Sequence, residues 1–163
     1  MANGEWRLTI DNTQNSKLKT QNSTLFPSPT PTVSFMHFLG IHHVAIICSN
    51  YDRSKHFYVE LLGFAIVQET YRTTRDSYKL DLQAGSAQIE LFSFPNPPDR
   101  VNSPEACGLR HLSFAVASLD ESVADLAANG IPVEPIRLDE LTGKRFTFFK
   151  DPDGLPLELY EAF

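Results

Sequence analysis

Apolar and polar positions alternate along residues 41–48 (IHHVAIIC), setting Val44, Ile46 and Cys48 on one side of an extended chain and His43, Ala45 and Ile47 on the other. The period then lengthens. Phe57, Tyr58, Leu61 and Leu62 recur at helical spacing within 51–62, and Gly63 supplies the stop. Strand-like runs follow at 64–72, 77–82 and 87–94, and a proline-containing connection, 95–107, closes the series. A second series opens with a strand at 109–117. Ser118 and Glu121 fit a capping box that starts a helix reaching about Ala128, with Asn129-Gly130 behind it. Strands at about 132–137, 144–150 and 155–160 end the chain. The predicted order is βαβββ, twice.

The two series share one register. Gly40-Ile41-His42-His43-Val44 aligns with Gly108-Leu109-Arg110-His111-Leu112, and Ile89-Glu90-Leu91 aligns with Leu157-Glu158-Leu159. His43 to Glu90 and His111 to Glu158 are each 47 positions apart, and the halves are offset by 68 residues throughout. Alternation places His43 opposite in face to Val44, Ile46 and Cys48, and His111 opposite to Leu112, Phe114 and Val116. The large residues pack under the helices. The His and Glu residues lie on the other face, among small neighbours, on the floor of a cup. This gives an α+β fold of two tandem βαβββ modules, 39–95 and 107–163, forming a cupped mixed β-sheet.

Two imidazoles and two carboxylates converging on such a floor suit one divalent ion: Zn, Ni or Co first, Mn or Fe(II) next, rather than Ca or Mg. Four protein ligands in octahedral geometry leave two positions for water or substrate. The alternative is that His43–Glu90 and His111–Glu158 are buried ion pairs without metal.

Composition narrows the partners. The chain has 14 Lys+Arg against 20 Asp+Glu, net charge −6, which argues against a nucleic-acid binder. No apolar run approaches the ~20 residues of a membrane span. Cys48 and Cys107 form no CxxC, which speaks against a disulfide framework or thiolate zinc site. The Asn/Gln/Ser/Thr/Pro-dominated stretch within 1–38 predicts a flexible tail or a start misplaced ahead of Met36, with a transit peptide as the alternative. A cytoplasmic protein with a small-molecule substrate is expected.

The H43-V-A-I strand followed by N50-Y-D-R-S-K-H-F-Y58, the C-terminal D151-P-D-G-L-P-L-E-L-Y160 and the duplication carry a resemblance over residues 39–163. This region resembles the vicinal-oxygen-chelate superfamily, which includes glyoxalase I, extradiol dioxygenases and fosfomycin-resistance enzymes. The His/Glu/His/Glu set is more similar to that of glyoxalase I than to the two-His, one-carboxylate set of the iron dioxygenases. The resemblance implies that His43, Glu90, His111 and Glu158 are metal ligands. It implies a lyase or isomerase, lactoylglutathione lyase-like, in which a carboxylate at the metal removes and returns a proton of an α-hydroxycarbonyl or hemithioacetal-like substrate. Glu158 is the first choice of base and Glu90 the second. It also implies a homodimer with sites built from both subunits. A ring-cleaving Fe(II)/Mn(II) dioxygenase and a non-catalytic binding or resistance module are the alternatives. Glutathione-using glyoxalase I has an Arg four residues after the first ligand and an Asn four residues after the first Glu ligand. Ile47 and Phe94 stand there instead, which argues against a glutathione hemithioacetal.

Other residues complete the expected cup. Asp151-Pro152-Asp153-Gly154 is a turn signature. Taken as a four-residue loop, it sets Lys150 against Leu155, Thr147 against Glu158 and Arg145 against Tyr160, and the 68-residue offset sets Lys79 against Glu90. On that register Lys79 and Arg145 are cup-facing cations for an anionic substrate, or partners of neighbouring carboxylates. Phe92 and Phe94 alternate with Glu90 toward the cup and line it as substrate-binding candidates. Phe149 is a weaker candidate wall residue. Arg72 and Arg75 read as solvated loop residues, with a basic rim as the alternative, and His42 points away from His43.

Overall fold

A computed structural model describes residues 38–162. The chain parts into two units, Met1–Phe38 and Leu39–Phe163, and everything below concerns the second. Residues 1–37 of the expected tail lie outside those described.

The first module runs β1 (His43–Cys48), α1 (Tyr51–Lys55) leading into a π-helical stretch (His56–Leu61), β2 (Ala65–Arg72), β3 (Ser77–Ala84) and β4 (Ala87–Ser93). The second runs β5 (Leu112–Val116), α2 (Leu119–Ala128), β6 (Arg137–Leu138), β7 (Arg145–Lys150) and β8 (Pro156–Glu161). Each module closes its own four-stranded mixed sheet, in the order β1-β4-β3-β2 and β5-β8-β7-β6. The first and last strands of each module pair in parallel and the rest antiparallel. No helix among the described residues is long and apolar enough to cross a membrane.

Local chemistry sets the element ends. The Asn50 side chain accepts the Arg53 N–H at 3.0 Å to cap α1, and Ser118 Oγ accepts the Glu121 N–H at 3.3 Å to cap α2. Beyond Lys55 the helix widens, with the Leu62 N–H reaching back five residues to the Phe57 carbonyl at 3.0 Å. Phe57 and Tyr58 both enter the core there. Gly63, at φ 74°, then turns the chain out as a left-handed cap. The strand expected at 132–137 shrinks to Arg137–Leu138, because Pro132 and Pro135 have no N–H to give a ladder.

The Asp151 turn is one residue shorter than the sequence suggested. Asp151 rather than Lys150 faces Leu155, its N–H bonding the Leu155 carbonyl at 3.0 Å. The Asp151 carboxylate accepts the Asp153 and Leu155 N–H groups at 2.9 and 2.7 Å, which folds the loop tightly. The register therefore moves by one: Phe148 pairs with Glu158 and Phe146 with Tyr160. A one-residue shift reverses every side chain of the strand. Thr147 is buried, donating to the Glu134 carbonyl at 2.7 Å, and Phe149 joins the core at 3% exposure.

Leu80, Leu82, Ile89, Leu91, Leu119 and Leu157 are fully buried, each contributing about 1.5–3 kcal/mol on folding. They belong to one cluster with Ile46, Cys48, Phe57, Tyr58, Phe149 and Leu159, so both sheets share a single core. Contacts cross the module boundary. Phe57 meets Phe149 at 6.5 Å between ring centres, Phe64 meets Phe114 at 5.5 Å, and the Tyr58 hydroxyl donates to Asp151 at 2.9 Å. Asp153 accepts the Ser49 N–H at 2.9 Å and Arg53 Nη2 at 2.8 Å. With the apolar faces turned to one another, the opposite faces of the two sheets point outward.

Candidate metal centre

Those outward faces carry the polar residues. On the first sheet His43 and Glu90 meet, Nε2 to Oε2, at 3.6 Å; on the second His111 and Glu158 meet in the same way at 3.4 Å. Both carboxylates are held low in the sheet, at 16% and 12% side-chain exposure, with the imidazoles more open at 42% and 33%. Ala45 and Ser113, directly across from Glu90 and Glu158, leave room above each pair. Among the described residues no three His, Cys, Asp or Glu side chains gather at one point. One chain thus brings the four expected donors together as two separate pairs.

The pairs differ in their surroundings. Lys79 Nζ lies 2.9 Å from Glu90 and also contacts Asp81. Burial opposes the Lys79 ammonium, but the two carboxylates outweigh it and hold its pKa above the usual value. Lys79 faces the cup as expected but pairs with Phe92, and Asp81 rather than Lys79 stands opposite Glu90. That two-residue displacement preserves the face. Arg145 is corrected outright: the one-residue shift turns it to the other face, where it binds Glu161 at 2.7 Å and Asp120 at 3.0 Å. Those carboxylates hold its pKa above the usual arginine value. In its place Phe146 and Phe148 face the second cup, and Phe148 meets the His111 ring edge-on at 5.2 Å.

Phe92 and Phe94 stack at 6.1 Å on the first cup. The Arg72 guanidinium lies over both, at 4.6 and 5.4 Å from the ring centres. Arg72 closes β2, so the solvated-loop reading fails. Its pairing with Ser77 puts it on the face of Lys79, a signal already present in the expected strand 64–72, which ends at Arg72. In the second cup Arg137 likewise lies over Phe146 and Phe148, at 4.9 and 5.2 Å. A cavity of about 450 Å³ opens beside His111, lined among others by Arg100, Arg110, Arg137 and Lys150. A larger apolar cleft between the modules, lined by Val44, Phe64, Leu112 and Phe114, holds none of the four donors.

Residues 40–159 match the family model described as Glyoxalase/Bleomycin resistance protein/Dioxygenase superfamily. The chain belongs to that superfamily. It is 67% identical over 123 residues to the uncharacterized protein YwkD of Bacillus subtilis (strain 168), covering 75% of this chain and 96% of that one. It is 57% identical over 122 residues to the uncharacterized protein YaeR of Escherichia coli (strain K12), covering 74% and 95%. The crystal structure of a glyoxalase family protein from Enterococcus faecalis aligns with TM-score 0.73 at 52% identity, covering 77% of this chain and 100% of that one. Likenesses at 22% identity to lactoylglutathione lyase from Agrobacterium tumefaciens (TM-score 0.59) and to TnmS3, an antibiotic-binding protein from Streptomyces sp. CB03234 (TM-score 0.62), show the fold alone.

Superfamily members commonly bind a divalent metal ion, and the donor set here fits one. Two ligands each about 2.1 Å from a shared ion stand roughly 3.0–3.4 Å apart, at right or tetrahedral angles. The observed 3.6 and 3.4 Å separations are close to that spacing and longer than most direct hydrogen bonds. In both pairs it is Nε2 that faces the carboxylate. His43 Nδ1 is 2.9 Å from His42 Nδ1, and that contact can fix its tautomer. His111 Nδ1 is buried without a partner.

Proposed function

We propose that this chain is a metal-dependent lyase or isomerase of the glyoxalase type, acting by proton transfer on a small oxygen-chelating substrate, with its complete site formed between two copies of the chain. The observation that carries the reading is the pair of register-matched His/Glu couples, each at ligand spacing, on faces turned away from one another. The strand orders support the dimer. β1 and β5 are both sheet edges, and Ile47 on the β1 edge and Leu109 just before β5 are half exposed, at 56% and 48%. A two-fold axis that sets β1 of one copy beside β5 of the other covers both edges and completes two equivalent sites.

In that assembly His43 and Glu90 of one copy and His111 and Glu158 of the second hold the ion. When bound, it supplies Lewis-acid polarisation of a substrate carbonyl. The chain supplies the base. Glu90 is committed to Lys79, whereas Glu158 has no Lys or Arg within 4 Å among the described residues, which leaves it the freer carboxylate. Glu158 takes the proton from the hydroxyl-bearing carbon beside the carbonyl and returns it to the former carbonyl carbon, while the hydroxyl proton passes to the former carbonyl oxygen. Phe92, Phe146 and Phe148 exclude water from the exchange, so the proton stays on the carboxylate between the two events.

The test couples metal content to mixing. Wild type is expected to hold about one Zn, Ni or Co per chain, and His111→Ala almost none. The double variants His43→Ala/Glu90→Gln and His111→Ala/Glu158→Gln each bind no metal alone. Coexpressed, they assort into dimers, half of them mixed, each mixed dimer with one intact site, restoring roughly a quarter of wild-type metal. Activity on an α-oxoaldehyde and thiol panel follows the metal. A monomer in solution, or no restoration in mixed dimers, defeats the shared site. Oxygen uptake with a catechol replaces the lyase reading by ring cleavage.

A further inference from the structure

Arg72 stands apart from the other arginines whose contacts are described. Arg53, Arg110, Arg137 and Arg145 each hold a carboxylate within 4 Å, and Arg100 holds the Leu109 and Arg110 carbonyls. Arg72 has no carboxylate within that reach among the described residues. Its Nη2 donates to the Ser77 hydroxyl, which is fully buried and itself donates to the Ser93 carbonyl. Its Nε is buried and has no partner. Its plane rests on Phe92 and Phe94.

A guanidinium fixed on two rings and a buried hydroxyl has little rotamer freedom left to lose. Nε and the Ser77 bond lie on the buried side, out of reach of an incoming ligand, which leaves the open end of the group, Nη1 with the second Nη2 hydrogen. That end-on fork of N–H donors matches two oxygens of a carboxylate or phosphoryl group. The position matters as much as the chemistry. Phe92 is two residues from Glu90 along β4, about 7 Å at strand rise, so the guanidinium lies one small-molecule length from the His43–Glu90 couple. Lys79, between them, is occupied by Asp81 and Glu90 and is not available to an incoming anion.

We propose that Arg72, seated on Phe92 and Phe94 and braced by Ser77, is the receptor for an anionic group on the substrate, and that it selects small carboxylate- or phosphoryl-bearing molecules over neutral ones. This rests on the cup being the substrate site of the proposed lyase, and it deepens that reading by naming the substrate class. Arg72 is a binding residue. It touches the remote anionic end, and the proton transfer remains with the glutamates.

The experiment uses the full chain, metal-free and loaded with Ni or Zn, titrated with inorganic phosphate and with glycolate by calorimetry and by NMR line broadening. Wild type binds at least one of the two probes. Which one it prefers tells phosphoryl from carboxylate. Arg72→Met keeps the stem on the rings but removes the fork, and is expected to weaken that probe at least tenfold. Arg72→Lys restores charge without the fork and recovers only part of the loss. Circular dichroism and metal content stay as in wild type in both variants. Should Arg72→Met fold but unfold more readily, Ser77→Ala gives a second reading: a weakening of the same probe by several-fold. Wild-type affinity in Arg72→Met, or no binding of either probe to wild type, overturns the receptor. Absence of metal in wild type with anion binding still lost in Arg72→Met sinks the lyase reading and leaves the receptor standing.

Discussion

The bond between Tyr58 and Asp151 joins the helix of the first module to the turn of the second, and its removal has a calculable cost. Tyr58 has no exposed surface, and its hydroxyl donates to Asp151 Oδ2 at 2.9 Å. The other carboxylate oxygen already takes two backbone N–H groups. Tyr58→Phe leaves Oδ2 buried without a donor among the described residues. Hydrogen bonds to charged groups contribute about 1.5–3 kcal/mol, and in a domain of this size each kcal/mol shifts the melting temperature by about 4 °C, so a fall of roughly 6–12 °C follows. The loss depends on pH. Burial raises the Asp151 carboxyl above its ordinary value, and the Tyr58 bond counteracts that rise. Between its unfolded and folded values the folded chain binds more protons than the unfolded one. Stability from this group is therefore fullest below about pH 4 and declines as pH climbs through the folded value. Losing the hydroxyl moves the folded value higher still, so the deficit of Tyr58→Phe is larger at pH 8 than at pH 5. Urea denaturation of wild type, Tyr58→Phe, Asp151→Asn and the double variant at both pH values measures it. The double variant should lose at least about 1 kcal/mol less than the two single changes together, because the amide needs no charge-matched donor. A deficit below about 0.5 kcal/mol, or one that is the same at both pH values, refutes the reasoning.

Three further outcomes are expected. Burial pushes the Cys48 thiol up to about 11, while Cys107 is exposed. A disulfide reagent at pH 8 should therefore modify one thiol in the folded chain and a second only on unfolding. Ser118→Ala removes the α2 cap and should cost about 1 kcal/mol in denaturant titration, where Ser118→Asp should cost little. Arg145→Gln removes the ties to Glu161 and Asp120 on the face away from the cup, so metal content should match wild type while the melting temperature becomes less sensitive to salt.

Strand parity made most of the fold legible, because the pattern is redundant. Glu90 and Glu158 each sit between two large apolar neighbours, and His43 and His111 each open a run in which every second residue is apolar, so face and pairing follow from the residues themselves. Where one face is not strongly apolar, the same reasoning fails. In Arg145-Phe146-Thr147-Phe148-Phe149 both parities carry phenylalanines, so the run fits either face and only the turn decides. That decision lay with the Asp151 carboxylate, which draws in two N–H groups and tightens the loop by one residue. Arg145, Thr147 and Phe149 moved face together with it. Lys79 survived because its error was two residues, which parity does not register.

The donors pose a different difficulty. Matched spacing within each half identifies which residues belong together, yet it is blind to whether the halves meet in one chain or across two. The answer lies in what the apolar faces do. Phe57 on Phe149, Phe64 on Phe114 and the Tyr58–Asp151 bond turn those faces inward against one another, and the His/Glu faces are carried outward by the same act. Bringing both couples to one ion within a chain would require opening the shared core that buries Leu80, Leu91 and Leu157, whereas the second copy of the proposed dimer would reach them without disturbing it. Stability of the single chain and assembly of the proposed four-ligand site are therefore linked: the packing that separates the couples leaves β1 and β5 as open edges, each with its own half of the ligand set exposed for a partner.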